Sequence, residues 1–217
     1  ENGQKNEPID VKIVLIGDDN VGKTSLCQFY RKGKTPQGEM PIIAPNFAKK
    51  EQYLTSTVIL NLWDSACNSD YDAIRPRAYP NTNYFLLCFS LNDKKSLENA
   101  LNVWYKEISS YSQAATIFLI GTKSDLKILN ESTIDPIRSS IDPYRYIECS
   151  TITAENVQHI FDEITQITAD PEKNPKHSFR KEEKKPEEVE TKTEQRKETT
   201  SPPKSTKPDL PVVGEET

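Results

Sequence analysis

Along residues 1–169 the apolar positions change rhythm repeatedly, from near-continuous runs to stripes spaced three and four apart, as when strands and helices alternate. The runs KIVLIG, YFLLCFSL and TIFLIG have no polar face, so they predict strands covered by helices on both sides. Strands are expected over 11–16, 57–63, 84–90, 116–121 and 145–149, and helices over 23–32, 94–110 and 154–168. The last helix places Val157, Ile160, Phe161 and Ile164 on one face. Together these predict an α/β fold, a mostly parallel six-stranded sheet flanked by helices, with chemistry at the carboxyl ends of its strands.

The rhythm stops at Asp170. From there on Pro, Lys, Glu and Thr dominate, seven of the fifteen prolines fall in this stretch, and the apolar residues are too few to offset the entropy of ordering it. The organisation expected is a flexible N-terminus over 1–8, one domain over 9–169 and a disordered tail over 170–217. Charge adds an exclusion: 28 Lys plus Arg stand against 33 Asp plus Glu, evenly spread, so neither part is a nucleic-acid-binding block or a polybasic lipid anchor. No apolar run approaches the roughly 18 residues that span a bilayer, and ENGQKNEPID has neither the basic nor the apolar region of an export signal. Cys27, Cys67, Cys88 and Cys149 lack metal-binding or CxxC spacing, which reads as reduced thiols in the cytoplasm.

The strongest chemical signal follows the first strand. GDDNVGKTS, from Gly17 to Ser25, fits G-x-x-x-x-G-K-[ST] in the strand–loop–helix context that gives the motif its meaning. Backbone N–H groups of Asn20, Val21, Gly22, Lys23 and Thr24 can surround a β-phosphate, with Asp19 and Ser25 flanking them in the expected cofactor-binding set; the Lys23 ammonium can meet β and γ oxygens, and the Thr24 hydroxyl can ligate Mg²⁺.

A phosphate loop alone fits many nucleotide enzymes, so the base-reading residues decide the class. After TIFLIG comes Thr122-Lys123-Ser124-Asp125, which resembles the [NT]KxD element of small GTPases. The resemblance implies that the Asp125 carboxylate accepts from guanine N1–H and the exocyclic amine, and that the Lys123 stem lies along the base. Cys149-Ser150-Thr151 resembles the loop that contacts guanine O6. With LNLWDSACNSDYDAIRPRAYP, FLLCFSL, WYKEI and GTKSDL in order, the chain over 11–167 is similar to the Rho branch of the Ras superfamily. That resemblance implies GTP and GDP as ligands with Mg²⁺, Asp64 ordering a metal-bound water, effector proteins and an exchange factor as partners, and a monomer. The helical insert usual in that branch has no room, because Cys149 follows Asp125 by 24 positions.

Several positions depart from the pattern, and they cluster where the γ-phosphate would lie. Asp19 stands where the family has a small Gly, so its carboxylate would crowd the attacking water and any arginine finger. The family's DTAGQE reads Asp64-Ser65-Ala66-Cys67-Asn68-Ser69. Cys67 replaces a flexible Gly, and Asn68 takes the catalytic Gln position with a side chain one methylene shorter. In the first switch, Pro41-Ile42-Ile43-Ala44-Pro45-Asn46-Phe47 puts hydrocarbon, Ile42, where a Thr hydroxyl ligates Mg²⁺. Thr35 replaces an aromatic ring over the base.

The resemblance is therefore to the atypical, GTPase-deficient Rho proteins of the Rnd type. The expectation is a guanine-nucleotide switch in signalling, cytoskeletal by resemblance, that meets effectors through 41–47 and through 67–79, the segment from Cys67 to Tyr79. An active GTPase and a nucleotide-independent scaffold are the alternatives. With no Cys after Cys149, no lipid anchor is expected in this chain, and membrane association would come through partners or sequence outside it.

Overall fold

The computed structural model describes residues 7–34, 46–65, 72–112 and 114–173. Six strands form one sheet: β1 (Ile9–Ile16), β2 (Phe47–Tyr53), β3 (Ser56–Asp64), β4 (Tyr84–Ser90), β5 (Thr116–Thr122) and β6 (Arg145–Glu148). Their order is β2-β3-β1-β4-β5-β6; β2 runs antiparallel to β3 and every other pairing is parallel. Helices α1 (Lys23–Lys32), α2 (Lys94–Asn99), α3 (Lys106–Tyr111), α4 (Glu131–Ile141) and α5 (Val157–Ala169) cover the two faces, and a π-helical segment, Ala100–Tyr105, joins α2 to α3.

Alternation along the parallel strands sends successive side chains to two separate cores. Val11, Ile13 and Leu15 pack with Leu26, Tyr30, Phe161 and Ile164 beneath α1 and α5. Val14, Ile16, Phe85, Leu87 and Phe89 pack with Leu97, Trp104, Ile108 and Ile134 on the opposite face. Both faces are buried, which is why all seven residues of β4 are inaccessible and why the run has no polar phase. Each of these side chains contributes on the order of 1.5–3 kcal/mol by leaving water.

The chain after β1 crosses to one side of it and later to the other, so the loops at the carboxyl ends of β1, β3, β4, β5 and β6 meet on one rim. Helix ends are fixed locally. α1 stops at Gly33, whose φ of 69° is a left-handed cap with its N–H on the Phe29 carbonyl. Asp93 and Asn130 cap α2 and α4 by accepting from Lys95 N–H and Thr133 N–H.

The expected and observed elements differ in five places, the first being β2, which has no counterpart among the strands placed from the sequence. The helix expected over 94–110 is interrupted by the π segment. The helix expected from 154 begins at Val157, because Ala154 and Asn156 hold left-handed backbone (φ 65° and 54°). α4, with Pro136 inside it, has no counterpart among the expected helices. Residues Asp170 to Lys173 belong to the folded part rather than to the tail: Pro171–Lys173 forms a 3-10 turn, the Lys173 ammonium donates to Tyr53 Oη at 2.8 Å and its carbonyl accepts from Tyr144 Oη at 3.2 Å. Residues 174–217 lie outside the described residues. Among the described residues no helix is long and apolar enough to cross a membrane.

Candidate functional site

The phosphate loop leaves β1 at Gly17, where the backbone passes hard against β4. A Cβ built on Gly17 would sit 2.1 Å from the Cys88 carbonyl oxygen, and its φ is 145°. Gly17→Ala is expected to lower stability by about 2–4 kcal/mol through this clash and strain, seen as a drop in the denaturant midpoint. Gly22 is required for another reason: space exists around it, but its φ of 103° is one that side chains rarely adopt. Asn20 takes a left-handed turn at φ 60°, which Asn tolerates.

Lys23 opens α1 and is nearly buried. Its ammonium donates to the Gly17 carbonyl at 3.0 Å and the Asp18 carbonyl at 2.7 Å. An ammonium has three donors, and the third has no partner among the described residues. The first turn of α1 carries no acidic residue and Gly22 supplies no side-chain cap, so its orphan N–H groups and dipole face the loop's concavity. Val21 is buried, so it can offer a phosphate its backbone alone, whereas Asp19 and Asn20 are exposed.

The strand ends bring two expected metal residues together. Thr24 Oγ1 donates to Asp64 Oδ2 at 2.5 Å across 40 residues. The other carboxylate oxygen, Asp64 Oδ1, is buried without a hydrogen-bond partner among the described residues. Burial raises the Asp64 pKa, against the opposing pull of the Thr24 hydroxyl and the Lys23 charge. A buried, unsatisfied carboxylate oxygen beside a hydroxyl is a set of hard oxygen donors that fits Mg²⁺ directly or through water.

The base-side loops converge after β5 and β6. Thr122 Oγ1 lies between the Val21 and Phe89 carbonyls, the latter at 2.9 Å, and so ties this loop to the phosphate loop. Lys123 is held in left-handed backbone, φ 56°, a conformation that costs about 1–3 kcal/mol for a residue with a side chain and collects at functional sites. Asp125 Oδ1 accepts from Ser150 Oγ at 2.5 Å. Ser150 is fully buried, and its oxygen in turn accepts from the N–H groups of Ile152 and Thr153 at 3.1 and 3.2 Å. Ser124 adds a second clasp, donating to Glu155 at 2.6 Å.

Gly22, Ser25, Thr122, Lys123, Asp125 and Thr151 line one cavity of about 290 Å³, closed on its apolar side by Leu26, Leu126 and Ile152. Gly22 and Ser25 of the phosphate loop thus share one cavity with Thr122, Lys123 and Asp125 of the base-side loop, with Ser150 acting through Asp125. Asn68, Cys67, Ile42 and Thr35 lie outside the described residues, as do 41–45 and 66–71. Sequence reasoning missed Glu155 and Asp18. The Asp18 carboxylate accepts from Trp104 Nε1 at 2.6 Å and Asn99 Nδ2 at 2.7 Å; an acidic doublet in the loop was the one visible sign of it.

Geometry of this kind, a phosphate loop at a helix start with a carboxylate-bearing loop two strands away, defines a P-loop nucleotide-binding protein. Comparison with known proteins narrows the class. The model of the Ras family matches residues 12–170. The chain is 34% identical over 175 residues to the Ras-like GTP-binding protein RhoL of Drosophila melanogaster, covering 78% of this chain and 90% of that protein. It is 31% identical over 172 residues to the Rho-related protein racC of Entamoeba histolytica (72% and 89% covered), and 33% identical over 172 residues to the GTP-binding protein RHO1 of Candida albicans (72% and 87% covered). The chain belongs to the Ras family of small GTPases, in its Rho branch, a class of GTP-binding signalling switches.

Proposed function

We propose that this protein is a guanine-nucleotide switch that binds GTP and GDP with Mg²⁺ and hydrolyses GTP slowly or not at all. One contrast carries the reading. The parts that hold a nucleotide are assembled: Lys23 at the start of α1, Thr24 on Asp64, and Asp125 clasped by Ser150. The positions that would act on the γ-phosphate, Asp19, Ile42, Cys67 and Asn68, all depart from the residues that position water and charge. Thr24 and Asp64 are the residues that would hold Mg²⁺, which would supply charge neutralisation at the phosphates.

Phosphoryl transfer to water depends mainly on positioning and electrostatic stabilisation, so losing these parts lowers turnover while sparing affinity. The retained nucleotide would present the 41–47 and 67–79 segments to effector proteins, with an exchange factor loading the site. The test is single-turnover GTP loss in the wild type beside the doubly reverted Asp19→Gly/Asn68→Gln variant. The variant is expected to hydrolyse about 10- to 100-fold faster. Equal rates, with the wild type at the pace of ordinary relatives, would establish a working GTPase instead.

A further inference from the structure

The phosphate loop is anchored to the far side of the sheet by a single carboxylate, and nothing in the binding motifs accounts for it. Asp18 sits directly after Gly17. Each of its oxygens takes one N–H donor: Oδ1 from the Trp104 indole at 2.6 Å and Oδ2 from the Asn99 amide at 2.7 Å. Its carbonyl takes the Lys23 ammonium at 2.7 Å. The same residue therefore fixes the phosphate-binding lysine through its backbone and is itself fixed through its side chain.

The donors come from an unusual piece of helix. Asn99 and Trp104 are five residues apart, which on a regular α-helix of 3.6 residues per turn would point them about 140° away from each other. The chain between them, Ala100–Tyr105, is π-helical, and i→i+5 bonding stacks such residues on one side. The bulge is what allows both N–H groups to reach one carboxylate. Packing encloses Trp104. Its ring is 5% exposed, lies among Leu97, Ala100 and Ile108, and carries the Arg75 guanidinium at 4.8 Å on its face.

We propose that Trp104 and Asn99 are positioning residues for nucleotide retention. By occupying both oxygens of Asp18 they turn an acidic side chain away from the phosphates and hold the loop in the shape that grips them. This rests on the guanine-nucleotide reading above. It is a distinct claim, since that reading needs only the motif residues.

The experiment uses the full chain and N-methylanthraniloyl-GDP with Mg²⁺. Trp104→Phe keeps the ring and removes the N–H; Asp18→Asn keeps the size and removes the charge. Each is expected to raise the dissociation rate about tenfold, the worth of one hydrogen bond to a charged acceptor, with the association rate unchanged. Because Trp104→Phe removes one of the two bonds that Asp18→Asn already weakens, the double variant should release nucleotide within about twofold of the faster single variant. A second readout needs no nucleotide. The protein has two tryptophans, so its ¹⁵N–¹H spectrum holds two indole signals, assigned with Trp63→Phe, and Asp18→Asn should move the Trp104 signal.

An unchanged dissociation rate in Trp104→Phe, multiplicative effects in the double variant, or an indole signal indifferent to Asp18→Asn each overturns the proposal. A wild-type chain whose indole signal responds to Asp18→Asn but which binds no labelled GDP overturns the nucleotide reading instead. In that case the link is an anchor of the loop with no retention role.

Discussion

Lys23→Ala is expected to lower guanine-nucleotide affinity by about 10³-fold or more while leaving the fold intact. The ammonium is nearly buried, held on the Gly17 and Asp18 carbonyls and aimed into the loop. Facing phosphate oxygens it makes charge-assisted bonds worth roughly 1.5–3 kcal/mol each, and two of them account for about three decades. The substitution also strips the loop of the cross-link between its own two carbonyls, so the loss falls on both contacts and preorganisation. Titration with labelled GDP measures it, and a thermal melt separates it from unfolding.

Asp125→Asn tests the base assignment with nearly the same size of effect. Ser150 can still donate to the amide oxygen of the new side chain, so the clasp at 2.5 Å survives and the loop keeps its place. What changes is the other half of the group. An acceptor facing guanine N1–H and the exocyclic amine becomes a donor, which removes two bonds to a charged acceptor and costs about 10²- to 10⁴-fold in affinity. A xanthine nucleotide, which carries a carbonyl in place of that amine, should recover much of the loss. Competition between guanosine and xanthosine diphosphates checks the exchange of preference.

Much of this site was legible because its chemistry depends on short, local spacing. Gly17, Gly22, Lys23 and Thr24 must fall in register on one loop, and they do so within eight residues. The strands β1, β4 and β5 were equally plain, since burial on both faces leaves an uninterrupted apolar run. β2 was counted without being placed. Its inward face has Phe47 and Tyr53 at the ends but charges between them: Lys49 and Glu51 pair at 3.0 Å, Tyr30 Oη donates to Glu51 at 2.5 Å, and the Lys49 ammonium lies 3.8 Å over the Tyr30 ring, so the hydrophobic periodicity is broken there.

α4 was hidden by Pro136 and by serines, although Ile134, Ile137 and Ile141 lie at helical spacing and Asn130 caps the start. The links that complete the site join residues far apart in sequence: Thr24 with Asp64, Asp125 with Ser150, and Asp18 with Trp104 across 86 residues. Spacing within a motif carries no trace of such pairs. The π segment is a further case, because no periodicity in ALNVWY distinguishes one wide turn from the α-helix around it.

The central claim is that this protein keeps a guanine nucleotide and spares its γ-phosphate. The most direct measurement is to purify the full chain with Mg²⁺ present, release and identify the nucleotide it carries by chromatography, then load it with GTP and follow the triphosphate for hours. The account predicts bound guanine nucleotide and GTP that persists. Steady conversion to GDP would contradict the impaired hydrolysis, and a protein that neither carries nor takes up guanine nucleotide would contradict the switch itself.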